Sequence, residues 1–353
     1  MVRAAYTNCT TCHVSPTGGG LLTDYGRNLS SEVLSTWGGT GEAQVGHGLF
    51  PEKDESKEGV DKWLGIGGDV RAAQTQIENQ FVKSGRFIWM QAMFDVGYRY
   101  KNLTAVMSIG QFDLKGKGQW DPYSERYYGM YQITDSHSIR AGRFVPAYGI
   151  NVPEHISPTR GGTQGNGLGF GIRQERDAVE WHYIGETWNT ALGYSKGPQD
   201  HISTLEEAVY GQVQRAFKEH YKIGMSFWSG HGPDSARQMV AAHGLFGFTS
   251  HLYLVSEVDY QFLQPNAGDD TVGVFGYHKF GYEFHKGMHV IAWFDHMQAD
   301  LNDDKQYVRH WGPGFAFYPR PHFEISGVWT RELVKAASPD DGDYAWLLLH
   351  YYL

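Results

Sequence analysis

From Trp63 to the end of the chain, apolar and polar residues alternate with a period of two, and no other feature restricts the fold as much. In Ile88–Tyr100, the residues Ile88, Met90, Ala92, Phe94, Val96, Tyr98 and Tyr100 fall on one face. Trp89, Gln91, Met93, Asp95, Gly97 and Arg99 fall on the other. Side chains of a strand point alternately to its two sides, so this pattern describes a strand with an apolar medium on one face and water on the other. The pattern recurs. Tyr221, Ile223, Met225 and Phe227 oppose His220, Lys222, Ser226 and Trp228. Leu252, Leu254, Val258, Tyr260 and Phe262 oppose His251, Glu257, Asp259 and Gln261. Phe323, Ile325 and Trp329 oppose His322, Glu324, Ser326 and Thr330.

Strands of this kind number about sixteen, each long enough to cross a bilayer at a tilt, which takes about 9–11 residues. The breaks near Lys101, Ser136, Gly185, Lys218, Ser250 and Pro319 read as short. Those near Gly85, Lys117, Pro198, Pro265 and Pro339 read as longer, and the longest runs from Asn151 to Gly167. Alternating short and long connections are those of periplasmic turns and extracellular loops, so the expected fold is all-β, a transmembrane antiparallel barrel of about 16 strands. An even strand count puts both termini on the periplasmic side of the bacterial outer membrane. The long segment then follows the fifth strand, where porins fold a loop inward to narrow the pore. The last strand, Tyr344–Leu353, places Leu347, Leu349, Tyr351 and Leu353 on one face and resembles an outer-membrane insertion signal.

Composition agrees with this reading. Among 353 residues there are 22 Tyr, 11 Trp and only 13 Pro, and aromatic enrichment favours strands. No apolar run reaches the 18 residues of a transmembrane helix. The mean hydropathy of -0.46 suits a barrel, whose strands present only every second residue to lipid. A net charge of -9 argues against nucleic acid as a partner. No secretory leader is visible before the polar N-terminal segment, and the expectation is that one has been removed.

Residues 1–60 are of another character, and the expected division is 1–60 for an N-terminal plug segment with its linker and 61–353 for the barrel. The segment has a Gly18-Gly19-Gly20 stretch, a helix expected over Leu21–Leu34, and a charged tether over Glu52–Glu58. It also holds both cysteines of the chain, in Cys9-Thr10-Thr11-Cys12-His13. C-x-x-C-H is the attachment signature of haem c: two thiols one turn apart form thioethers, and the next residue supplies an imidazole to the iron. A plain dithiol or disulfide, a zinc site with three local ligands, and a chance match are the competing readings. His47, Met93 and Met130 are candidates for the second axial ligand. His182, His220, His251 and His322 fall near expected periplasmic ends, where a plug meets the wall. Arg99, Arg126, Arg140 and Arg309 read as lumen-facing partners for haem propionates, or equally as a porin charge ladder.

The stretch Cys9–Pro16 followed by Leu21-Leu22-Thr23-Asp24-Tyr25-Gly26-Arg27 resembles the fused monohaem cytochrome–porins of the outer membrane, whose best-known members oxidise extracellular ferrous iron. The likeness in residues covers positions 6–37; over the barrel it is architectural. It implies one covalent haem c at the periplasmic mouth. Electrons would then pass between an extracellular donor such as Fe(II) and a periplasmic cytochrome or other carrier. That is an electron transferase resembling a ferrous-iron oxidase, in outer-membrane lipid. Porins are often trimers, and no local feature decides oligomeric state. Asp269-Asp270, Asp303-Asp304 and Asp340-Asp341 with Asp343 are candidate cation-binding turns. The alternatives are a transport porin whose haem segment is a plug, gate or redox sensor, and a haem enzyme such as a peroxidase. No distal motif supports the last.

Overall fold

The computed structural model describes residues 2–38, 62–112, 122–151, 157–159, 168, 170, 175–197, 205–303, 307–335 and 341–353. His47, the 52–58 tether, Asp304, Asp340 and most of the 151–167 run lie outside the described residues.

The strands are β1 (Lys62–Asn79), β2 (Lys83–Tyr100), β3 (Leu103–Phe112) and an interrupted β4 (Pro122–Tyr123, then Tyr127–Gln132). They continue with β5 (His137–Phe144), β6 (Arg176–Ile184), β7 (Trp188–Lys196), β8 (Glu207–Phe217), β9 (Tyr221–His231) and β10 (Ser235–Gly247). The last six are β11 (Leu252–Pro265), β12 (Thr271–His285), β13 (Met288–Gln298), β14 (Tyr307–Phe317), β15 (Phe323–Lys335) and β16 (Gly342–Tyr352). Each pairs antiparallel with the next, and β1 pairs with β16 from Asp69↔Tyr352 to Asn79↔Gly342, which closes the sheet. Closure removes every open edge, the condition for a sheet to stand in lipid.

The alternation does what period two requires. Phe94, Tyr98, Met225, Phe227, Leu347, Leu349 and Tyr351 are exposed on the outer face, while Asp95, Ser226, Glu257, Asp259 and Thr330 are buried inside. An apolar exterior around a polar interior is the membrane-barrel arrangement. At one end the connections are short, as at Lys101–Asn102, Lys218–His220 and Lys286–Gly287. The other end carries the long connections, the longest between β5 and β6, after the fifth strand as expected.

Three local expectations are corrected. The first loop-side break is not near Gly85 and is not long. It lies at 80–82, where the Asn79 side chain accepts from the N–H groups of Phe81 and Val82 and closes a tight hairpin. The register of β1 against β2 shifts between Arg71 and Ala72, and Met90 has no partner there. This bulge turns Trp89 away from the face of Gln91, contrary to uninterrupted alternation. Arg309 is not lumen-facing. It shares the outward face of Trp311 and Phe315, because its neighbour His310 points inward to Glu332 (2.5 Å). The Arg309 guanidinium instead caps the Tyr307 ring at 4.4 Å.

The N-terminal helix is shorter than expected. α1 covers Asp24–Leu29, capped by the Thr23 side chain accepting from Gly26 N, and one wider turn, Ser30–Leu34, follows. Residues 2–38 sit inside the short-turn end, which in barrels of this class faces the periplasm. There Thr36 and Trp37 donate backbone hydrogen bonds to Tyr318 and Pro319, and Ser30 meets both Tyr352 and the His322 N–H.

Candidate functional site

The Cys9–His13 segment is built locally. Cys9–Thr11 forms a single 3-10 turn, and the N–H groups of Cys12 and His13 both donate to the Cys9 carbonyl (3.1 and 2.9 Å). The two thiols therefore lie one turn apart with the imidazole immediately after them, and both are unlinked. The chain then reverses through Gly18, Gly19 and Gly20, all in the left-handed region (φ +80°, +72° and +61°). His13 bridges to Leu22 on the way back, and Val14 N donates to Leu21 O (3.0 Å). Thr23 N reaches the Cys12 carbonyl at 2.9 Å. This return lays α1 directly on Cys12. A Cβ at Gly26 would stand 2.2 Å from the Cys12 carbonyl oxygen, so only glycine fits.

The plug is pinned to the wall around much of its circumference. Arg3 pairs with Glu283 at 2.6 Å. Lys222 Nζ donates to the Thr7 carbonyl (3.0 Å), and Asn189 meets Asn8 (2.5 Å). Arg27 donates to the Ile66 carbonyl. Arg140, with a fully buried side chain, reaches Ser15 Oγ (3.1 Å) and Thr17 Oγ1 (3.2 Å) while its Nε and Nη2 hold Glu180 Oε1 at 2.9 and 2.5 Å. Of the other expected lumen arginines, Arg126 lies against Gly19 and Gly20 between Glu125 and Glu175. Arg99 has the inner register and covers the Trp63 ring at 5.7 Å.

His13 is suited to metal binding by its surroundings. Burial, assisted by the Arg126 charge, pushes its imidazole down to about 4, so the ring is neutral in the physiological range. Its Nδ1 is shielded from solvent, and the ring lies within reach of the Gly20 and Gly19 backbone, while the residue as a whole keeps part of its surface accessible. A neutral imidazole oriented at one nitrogen by backbone is the usual form of a histidine ligand. Burial raises the Cys12 thiol, which keeps it protonated. Beside Cys9 and Thr10 a small, partly open cleft of about 30 Å³ lies between plug and wall, bounded on the wall side by His182, Asn189 and Gln212.

The remaining ligand candidates are scattered. Met130 packs, with Val14, against Val106, Tyr128, Phe144 and Ala178. Met93 is buried on β2 against Gly110 of the neighbouring strand. His220, His251 and His322 lie in short turns, His322 edge-on to Tyr352 at 5.6 Å. Only His182, on β6, reaches the cavity at Cys9. The Glu180–His182 pair behind the cavity had a signal in the sequence, two polar residues two apart on one strand face. Such pairs are common in any wet lumen.

Above the plug, the β5–β6 connection turns inward at once, before the expected 151–167 run begins. Ala147 N donates to Glu180 Oε2 (2.8 Å), Gly149 N to Ser226 Oγ (3.0 Å), and Tyr148 OH to Asp259 (2.8 Å) on the opposite wall. Tyr148, Leu168 and Phe170 join Tyr210, Trp228 and Met239 in an apolar cluster inside the lumen. This end of the lumen is thus narrowed by a loop, and the other is filled by the plug.

No family model matches the chain, and no curated protein matches its sequence. Solved structures match its fold. An OmpT loop-deletion mutant, an outer membrane protein of Vibrio cholerae, superposes with a TM-score of 0.66 at 11% identity over 83% of this chain and 99% of that one. The outer membrane channel DcaP of Acinetobacter baumannii gives 0.62 at 13% over 84% and 99%. An anion-selective porin from Comamonas acidovorans gives 0.62 at 10% over 83% and 100%. The chain has the 16-strand fold of outer-membrane porins, with a small N-terminal segment before it.

Proposed function

We propose that this porin-type barrel is an outer-membrane electron-transfer protein that carries one covalent haem c in its periplasmic mouth. The observation that carries the reading is the seating of the Cys9–His13 turn inside the barrel, with Cys9 opening onto a cleft at the wall and the His13 ring neutral against the Gly19–Gly20 backbone. Cys9 and Cys12 would hold the group through thioethers, and His13 would supply the proximal nitrogen. Bound there, haem c supplies reversible one-electron chemistry. The residues of the chain do the rest. Arg140, Lys222 and Arg3 hold the plug in register with the wall, and the Gly18–Gly20 backbone orients the His13 ring. Tyr148 and Phe170 narrow the approach from the loop side. On the periplasmic side Tyr25 and Trp37 stay half-exposed and offer a surface to a soluble carrier such as a periplasmic cytochrome. A hydrated donor such as Fe(II) suits the polar lumen above.

The test is reconstitution into vesicles that enclose an oxidised soluble cytochrome, with Fe(II) or another impermeant reductant added outside. Reduction of the enclosed cytochrome by the holoprotein and not by a Cys9→Ala/Cys12→Ala variant supports the reading. Equal rates for the two, or none for either, overturn it. The fold likeness to channels favours a second reading, a transport porin in which residues 2–38 act as plug, gate or redox sensor. Solute conductance that responds to the oxidation state, with no electron transfer, would select it.

A further inference from the structure

We propose that His182 is the second axial ligand of the haem iron, with Glu180 as the residue that positions its ring. The proposal rests on the haem reading above and extends it to the wall of the barrel.

Three observations lead to it. First, His182 is the one nitrogen or sulfur ligand, apart from Cys9 itself, on the cavity beside the haem-attachment turn; its neighbours there are Thr10, Thr17, Asn189 and Gln212. Second, the side chain is built to be held still. His182 is 4% exposed, and its Nε2 stands 2.5 Å from Glu180 Oε1. A proton on Nε2, the nitrogen facing that carboxylate, would leave the lone pair on Nδ1. Ligand histidines usually donate their other ring N–H to a carboxylate, which fixes tautomer and orientation and raises ligand basicity. Third, Glu180 is itself fixed. Its Oε1 takes Arg140 Nε and Nη2, and its Oε2 takes the Ala147 N–H at 2.8 Å. The same Arg140 holds Ser15 and Thr17 of the plug, so one ion pair links the wall histidine to the plug just beyond the attachment turn.

The other candidates are committed elsewhere. The Met130 side chain is packed into the Val106–Tyr128–Phe144–Ala178 cluster, Met93 lies against the β3 backbone, and neither lines this cavity. A histidine from the wall also gives the plug a reason to dock. Iron held by His13 from the plug and His182 from β6 would cross-link the two parts of the chain. Two imidazole ligands set a lower reduction potential than an imidazole and a thioether, since methionine ligation raises it.

The experiment uses the full-length protein matured with haem and purified in detergent, with covalent haem quantified first and barrel folding checked by heat-modifiable electrophoretic mobility. Electron paramagnetic resonance and near-infrared magnetic circular dichroism identify the ligands. The expected wild-type iron is low-spin with two nitrogen ligands. His182→Ala is expected to turn it high-spin, with added imidazole restoring the low-spin form. His182→Met, which keeps the packing, is expected to give a histidine–methionine signature and a higher reduction potential. A wild-type iron that is high-spin or methionine-ligated overturns the proposal, as does a low-spin spectrum unchanged in both variants; the haem reading survives either result. Absence of covalent haem from the wild-type protein overturns both.

Discussion

Replacing Arg140 by methionine tests how the plug is held. The guanidinium and the Glu180 carboxylate are both fully buried, and the guanidinium carbon sits 3.8 Å from the centre of the Phe144 ring. Methionine fills comparable space and leaves Glu180 without its counter-charge. Breaking a buried ion pair from one side costs about 3–5 kcal/mol. The strand ladder does not run through this pair, so the cost falls on what Arg140 joins: Ser15 and Thr17 of the plug and the Val145 carbonyl at the start of the inward loop. At about 1.4 kcal/mol per factor of ten, the undocked plug becomes more populated by roughly a hundred- to several-thousand-fold. Arg27, 5% exposed when docked, reports this as a trypsin site, because cleavage of a transiently opened segment follows the open population. The N-terminal peptide released from a barrel that still migrates as folded is the readout. Adding Glu180→Gln to Arg140→Met removes the stranded charge and is expected to recover part of the protection. A cleavage rate within a few-fold of wild type for the single variant would refute the reasoning.

Other outcomes follow from the same contacts. Gly26→Ala gains about 1 kcal/mol of helix propensity but drives a Cβ into the Cys12 backbone, an overlap that costs more than it returns. Trypsin release of the plug should rise, while Gly129→Ala, with nothing within 4 Å of the new carbon, should match wild type. In the haem-free Cys9→Ala/Cys12→Ala protein, His13 is lowered when docked, so its contribution is present above pH 6.5 and is lost as the pH falls through about 4. The loss amounts to roughly 3 kcal/mol, and acid release of the plug should be blunted by His13→Gln. Tyr148→Ala removes an aromatic from the narrowed lumen and its bond to Asp259; single-channel conductance of a barrel lacking residues 2–38 should increase, and an unchanged value would contradict an inward-folded loop.

The barrel was legible in the sequence wherever alternation was uninterrupted, as in β9 and β11, because period two assigns a face to every residue. It failed where one residue changed the count. The bulge at Met90 reverses the face of Trp89 without altering its hydropathy, and the Asn79 hairpin is specified by one side-chain oxygen that reads as any polar residue. Arg309 misled because a rim position tolerates a charge on the outer face. The Cys9–His13 turn was legible as a motif because its three residues are close in sequence, and its chemistry rests on the haem proposal. Of its partners, Arg140 was legible as a lumen arginine and His182 as a histidine at the plug end; Glu180 and Lys222, and the joining of Arg140 to Ser15, were not, because they meet only once the wall curves around the plug, more than a hundred residues away in sequence.

The most direct measurement is the intact mass and visible spectrum of the protein purified from a host that matures c-type haem. The expected result is one haem per chain, resistant to acid extraction, and lost on Cys9→Ala/Cys12→Ala while the barrel still folds. A chain of unmodified mass whose thiols at Cys9 and Cys12 both react with an alkylating reagent would contradict it.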